Sequence, residues 1–150
     1  RASVEVIVIH GPSDVGKTYN VKLRYPMSTS YYCKADDNFK NLDCYRGEKV
    51  MVINEFRGSE TCTVGQFNEL VDPATPRWNC KYKYIFPAWT KVIITSNLAP
   101  GFWWTRTDAY THHAYMRRLT RIIEVTPREA GEPDDIYILR ARKWLEEQQF

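Results

Sequence analysis

At 150 residues, 43% hydrophobic and 14% aromatic, the chain has room for one domain around a single substantial core and too little for two of ordinary size. Lys and Arg outnumber Asp and Glu by 21 to 18, a net charge of +3, so any surface for a polyanion has to be a local patch. The longest uninterrupted apolar run, Val6 to Ile9, is far too short to span a bilayer, and no charged-apolar-small leader opens the chain, so a soluble domain with no membrane partner is expected.

The β-branched run from Val4 to Ile9 predicts a buried strand. It leads into Gly11-Pro12-Ser13-Asp14-Val15-Gly16-Lys17-Thr18, a Gly-x-x-x-x-Gly-Lys-Thr string, after which Thr18 to Tyr25 reads as a short helix stopped by Pro26. Strand, glycine loop and helix in this order form the setting in which backbone N–H groups close on phosphate oxygens; the octapeptide alone also fits a Gly-rich turn before an ordinary helix, as the lesser reading. A looser polar stretch from Ser28 to Lys49 follows, with no element assigned to it. A second apolar run, Val50 to Ile53, stops at Asn54-Glu55, and Gln66 to Val71 reads as a short helix before a Pro-rich turn.

Arg77 to Phe86 has the alternation and aromatic content of a hairpin, with Lys81 and Lys83 on one face and Tyr82 and Tyr84 on the other, the tyrosines expected to pack. Lys91 to Asn97 predicts a third buried strand. His113 to Leu119 then reads as a helix, Arg121 to Val125 as a strand, and about Ile136 to Glu147 as a final helix with acids at its positive end. Strands separated by helical segments predict an α/β domain whose central sheet is mainly parallel and flanked by helices.

In such a sheet ligands bind beyond the carboxyl ends of the strands, so what ends each apolar run matters most. The first run ends in Lys17 and Thr18, the second in Asn54-Glu55, the third in Thr95-Ser96-Asn97. A bound triphosphate needs its charge neutralised, its magnesium held and a water aimed at the terminal phosphorus. Backbone N–H groups from Ser13 to Thr18 suit the cradle, Lys17 the outer phosphates, Thr18 the magnesium, Glu55 the water, and Asn97 that water or the γ-phosphate. Singly, Glu55 is also a solvated acid and Thr95-Ser96-Asn97 a turn; three matched strand ends together favour nucleotide hydrolysis. Cys33, Cys44, Cys62 and Cys80 lie too far apart for a metal clip and are expected as reduced, buried or half-buried thiols of an intracellular protein. Neighbours on a helix diverge, so His112 and His113 suit surface or packing roles.

These residues resemble the superfamily 3 helicase domain, most closely that of replication initiator (Rep) proteins of circular single-stranded DNA viruses of the circovirus-like group. Gly11 to Thr18 is similar to the Walker A motif, Val50 to Gly58 to Walker B, Lys91 to Asn97 to the sensor strand, and Tyr115 to Thr120 to the segment with the arginine finger. Lys81 falls where the family has its single-stranded DNA hairpin. The resemblance implies a P-loop NTPase of AAA+-like fold, and ATP and Mg2+ as cofactors. It also implies ATP-driven DNA unwinding in rolling-circle replication. By residue it implies nucleotide contacts from Gly11, Pro12, Ser13, Asp14, Val15, Gly16, Lys17 and Thr18, metal contacts from Thr18, Asn54 and Glu55, and DNA contacts from Lys81 and Lys83. Either Arg117 or Arg118 would reach the γ-phosphate held by the next subunit of a homo-oligomer, a hexameric ring. An upstream nuclease domain of the same polypeptide and the host nucleus are implied likewise, and Arg1 in place of Met fits a piece of a longer chain.

The likeness covers about 4–125 of a single domain, 1–150, and leaves 126–150 as a helical extension assigned only to packing or subunit contact. Asn54 departs from the family's usual acid, which is expected to weaken magnesium binding and leave hydrolysis to Glu55. Asp14 is expected to point away from the phosphates. A small-molecule P-loop kinase is disfavoured, because nothing between the first two motifs reads as an arginine-bearing lid. A silent nucleotide-binding, DNA-binding oligomerisation module and an RNA-virus ATPase of the same superfamily stand as alternatives.

Overall fold

The computed structural model describes residues 1–150. In chain order the elements are β1 (Glu5–His10), α1 (Lys17–Arg24), β2 (Tyr31–Cys33), β3 (Val50–Ile53), α2 (Val64–Val71), β4 (Trp78–Asn79), β5 (Tyr84–Ile85), β6 (Lys91–Ser96), α3 (Ala109–Met116), β7 (Arg121–Glu124) and α4 (Asp134–Glu146). Five strands form a wholly parallel sheet in the order β2-β3-β6-β1-β7, and β4 with β5 makes a separate antiparallel pair. This is the α/β fold of P-loop NTPases, as the sequence predicts.

The central strands are apolar through their interiors because both faces are covered there, and successive side chains go to opposite sides. Val6, Val8, Met51, Ile53, Val92 and Ile94 join a core cluster with Phe67 of α2, Tyr115 of α3 and the tryptophans Trp78, Trp89, Trp103 and Trp104. Ile7, Ile9, Val52, Ile93 and Ile123 join a second cluster with Val21 of α1 and Tyr137, Ala141 and Leu145 of α4. The i, i+4, i+8 spacing of those last three residues is the buried stripe of α4. Arg24 ties α1 to the end of α4, donating to the carbonyls of Glu146 (3.1 Å) and Gln148 (2.6 Å) with the Phe150 ring 4.0 Å from its guanidinium.

Several local expectations need correction. β2 lies inside the polar stretch from Ser28 to Lys49, which shows no element in the sequence; at three residues with half-buried tyrosines it is too short to show a period. The third helix begins four residues earlier than His113, at Ala109, because Asp108 accepts the Thr111 N–H at 2.7 Å and caps it there. The hairpin forms, but Lys81, Tyr82 and Lys83 occupy its tip and not its strands, so the two-faced alternation does not apply to them. Tyr82 is 83% exposed and Tyr84 50% exposed, so neither tyrosine packs into the body. Cys33 and Cys62 are buried and Cys80 half-buried, but Cys44 is exposed.

Candidate functional site

The register of the sheet assembles the site. His10 at the end of β1 lies level with Ser96 of β6, and Ile53 at the end of β3 lies level with Ile94. Asn54 and Glu55 therefore leave β3 beside Thr95 and Ser96, next to the loop that leaves β1. Gly11 N–H donates to Ser96 O at 3.1 Å and starts that loop against β6. Gly16, at φ +84, turns the chain into α1, whose first-turn N–H groups have no partner within the helix.

A cleft of about 390 Å³ opens over these strand ends, lined by Ser13, Asp14, Gly16, Lys17, Thr18, Tyr19, Glu55, Thr95, Ser96, Asn97 and Arg142. Lys17 is buried, and its ammonium donates to Gly11 O (2.9 Å), Pro12 O (2.5 Å) and Asn97 Oδ1 (3.0 Å). Burial pulls its pKa below the usual lysine range, and the charges of Asp14 and Glu55 oppose that shift. Asn97 Nδ2 donates in turn to Ser13 Oγ at 3.3 Å. Lys17, Asn97 and Ser13 thus link loop, helix and sensor strand in one chain of hydrogen bonds.

Glu55 is exposed and carries φ +58, a left-handed backbone that a glutamate adopts only when its surroundings hold it. The holder is Thr95, whose hydroxyl accepts the Glu55 N–H at 3.0 Å and donates to Asn54 Oδ1 at 3.1 Å. Behind them Ser96 Oγ donates to Phe56 O at 2.7 Å and accepts the Trp103 Nε1–H at 3.2 Å. Gly58 then passes so close to Trp103 that a Cβ there would lie 2.2 Å from its carbonyl oxygen. The Glu55 carboxylate is therefore carried by a segment fixed at several successive residues.

Of the residues expected at the site, Ser13, Asp14, Gly16, Lys17, Thr18, Glu55 and Asn97 come together in this cleft. Gly11 and Pro12 contribute carbonyls to Lys17, and Val15 is wholly buried in the core, so its contribution is confined to the backbone. Asp14 is exposed at φ +67 and forms part of the cleft wall, where its backbone carbonyl accepts from Arg142. Asn54 stands behind Glu55 with its carbonyl oxygen engaged by Thr95, and does not line the cleft. Thr18 and Glu55 are the hydroxyl and carboxylate that suit a magnesium ion completed by phosphate oxygens and waters.

Arg117 and Arg118 lie elsewhere, beside a hollow formed with Val4, Asp72 and Thr120. Arg118 is tied down, donating to Ala114 O at 3.0 Å and facing the Asp72 carboxylate at 4.0 Å, whereas Arg117 is exposed at the end of α3. Lys81 and Lys83 are exposed on the hairpin tip, where Lys81 Nζ lies 5.4 Å from the centre of the Tyr82 ring. The residue that sequence reasoning missed is Arg142 of α4, whose Nε donates to Asp14 O at 3.0 Å from beyond the region of family likeness. Its only trace in the sequence is its place one residue past the buried stripe of α4, which marks a flank and no function.

Parallel sheet, glycine loop and the cleft over the strand ends together define a P-loop nucleotide-binding domain. The model of the RNA helicase family matches residues 7–98, more than half of the chain, and the protein belongs to that family as a superfamily 3-type helicase domain, a class that uses a nucleotide. The chain is also similar to the replication-associated protein of Canary circovirus, 29% identical over 117 residues, which is 78% of this chain and 38% of the relative. It thus spans well under half of that relative's length.

Proposed function

We propose that this domain hydrolyses ATP with magnesium to move along and unwind DNA in viral rolling-circle replication, working as a subunit of a ring, a hexamer by family resemblance, beside a nuclease domain of the same polypeptide in the host nucleus. The observation that carries the reading is the convergence of Lys17, Thr18, Glu55 and Asn97, from three adjacent strand ends, on one cleft. Backbone N–H groups from Ser13 to Thr18 hold the phosphates, and Lys17 exchanges loop carbonyls for the outer phosphate oxygens. Thr18 and Glu55 would hold magnesium, which supplies charge neutralisation between the outer phosphates. Glu55 orients the attacking water, and Asn97, already bonded to Lys17, contacts that water or the terminal phosphate. Asn54 holds Glu55 through Thr95 in place of a metal contact.

Arg117 is the better candidate for the arginine that reaches a neighbouring subunit's nucleotide. It has no salt-bridge partner, and it shares no wall with the cleft of its own chain. Lys81 and Lys83 with the exposed ring of Tyr82 suit a DNA strand, cations for phosphate and a π face for a base. Asn54 also favours a second reading, a module that binds nucleotide and DNA without turnover, since a neutral amide stands where the family has an acid.

Phosphate release from ATP and magnesium, followed at several protein concentrations with and without single-stranded DNA or RNA, tests the proposal. Turnover that rises more than linearly with protein, is stimulated by DNA and disappears in Lys17→Ala is expected. ATP binding without turnover would establish the silent module instead, and stronger stimulation by RNA would move the substrate to RNA.

A further inference from the structure

Beside the phosphate cleft lies a second cavity of about 330 Å³, lined by Gly16, Tyr19, Asn20, Arg142 and Glu146, between the first turns of α1 and the last turns of α4. The two hollows share Gly16, Tyr19 and Arg142, so they adjoin along the start of α1. We propose that this cavity receives the nucleoside end of the bound nucleotide, with Tyr19 and Arg142 as its recognition residues; the inference rests on the nucleotide reading above.

Polarity of the cleft is the first argument. Glu55 and Asn97 stand at one end, where Lys17 Nζ meets Asn97 Oδ1 at 3.0 Å, and a water-polarising carboxylate belongs beside the terminal phosphate. A nucleoside triphosphate laid along the loop with its terminal phosphate there must carry its ester-linked end past Gly16 and Tyr19. The second cavity opens at that place.

The lining is the second argument. Tyr19 leaves 61% of its surface exposed at the mouth of the cavity, a π face with no aromatic partner. Arg142 brings a planar guanidinium, which stacks on rings and attracts their faces. Glu146 supplies a carboxylate acceptor for base N–H or ribose hydroxyl groups. Asn20 forms a fixed floor: it is 2% exposed, donates to Gly16 O at 2.9 Å and accepts from Arg24 at 3.2 Å.

Third, Arg142 joins α4 to the phosphate loop. Arg142 arches over the phosphate loop, its Cγ 3.3 Å from where a Cβ on Gly16 would sit and its Nε on Asp14 O at 3.0 Å. An exposed arginine bonded to a loop carbonyl, on the wall that the two hollows share, is placed to meet an incoming nucleotide. Because Arg24 fastens the end of α4 to α1, the C-terminal helix becomes a wall of the nucleotide site and not merely an extension.

Calorimetric titration with ADP, ATP and inorganic tripolyphosphate, each with magnesium, tests the subsite in the wild-type chain and in Tyr19→Ala and Arg142→Lys. Both variants change exposed side chains, and thermal melting verifies their fold. Affinity for ADP and ATP is expected to fall about tenfold in each, while affinity for tripolyphosphate stays within about twofold. Equal losses for tripolyphosphate and ATP would make Arg142 a phosphate ligand or loop prop and overturn the subsite, as would unchanged ATP binding in both variants. Wild-type protein that binds tripolyphosphate as tightly as ATP overturns the subsite while leaving the phosphate site standing. Binding of neither ligand overturns the nucleotide reading itself and the subsite with it.

Discussion

On one face of the sheet α2, α3 and the turns around them pack four tryptophans and three phenylalanines, with Phe56 edge to face on Trp103 at 4.8 Å and Trp104 on Tyr115 at 4.9 Å. On the other, α1 and α4 cover a smaller and mostly aliphatic cluster. The aromatic face is also nailed down by polar bonds, since Trp78, Trp89 and Trp104 each donate the indole N–H to a backbone carbonyl. Glu55 emerges directly before Phe56, at the edge of the pinned face. Arg142 rides on the smaller cluster. On the proposed function the contrast would separate two tasks: the terminal phosphate needs groups held to fractions of an ångström, whereas a base needs a wall that can be approached and left.

The hardest test of the pinned face is Gly58→Ala. Its φ of +67 and a Cβ driven to 2.2 Å from Trp103 O, a backbone atom that cannot swing aside, combine conformational strain with overpacking. A loss of about 3 kcal/mol or more in urea denaturation is expected. Gly131→Ala is the control: it shares a positive φ of +75 but has nothing within 4 Å, and should cost about 1 kcal/mol. Equal losses would mean that the close passage past Trp103 is not what fixes this face.

Thr95→Val comes next and sharpens the link from the pinned face to the chemistry. Val keeps the shape and removes the hydroxyl, leaving the Glu55 N–H and the Asn54 carbonyl oxygen without their shared partner. Stability should fall by about 1–2 kcal/mol. ATP turnover should fall by roughly tenfold to a hundredfold as the Glu55 carboxylate loses its aim. Thr95→Ser should restore both. Turnover that survives in the Val variant despite lower stability would assign Thr95 to the fold alone.

How much of this was legible in the sequence also divides along that line. The three central parallel strands announce themselves because burial on both faces leaves an unbroken apolar run in each, and the polar endings of those runs point to the cleft. Thr95, Ser96 and Gly58 are visible only as letters near a motif: the bonds that give them work join residues about forty positions apart, and no local period reports such a partner. Arg142 was harder still, since its role depends on α4 folding back over a loop 128 residues earlier. The hairpin tyrosines mislead for the opposite reason: alternation predicts faces only inside a strand, the turn at Cys80 to Lys83, closed by a 2.7 Å bond, takes Tyr82 out of one, and Tyr84 opens a strand of two residues that is too short to bury it.

The smallest effect concerns His10, which closes β1 and belongs to neither core cluster. Burial disfavours its imidazolium and the Lys17 ammonium adds to that, while Glu124 opposes both; the result is a pKa below the usual 6.5. Above 6.5 the ring is neutral whether the chain is folded or not, so its titration contributes nothing to stability there. As pH falls through 6.5 the unfolded chain takes up a proton that the folded chain refuses, and stability drops until the folded pKa is passed. His10→Gln removes that proton site. Melting curves from pH 7.5 to 5.5 should therefore show the wild type losing ground to the variant on acidification, by on the order of 1 °C, because His10 is half exposed and water screens its surroundings. A wild type that gains on the variant as pH falls would mean that Glu124 outweighs burial, and that the seam beside the phosphate loop is wetter and more open than either face of the sheet.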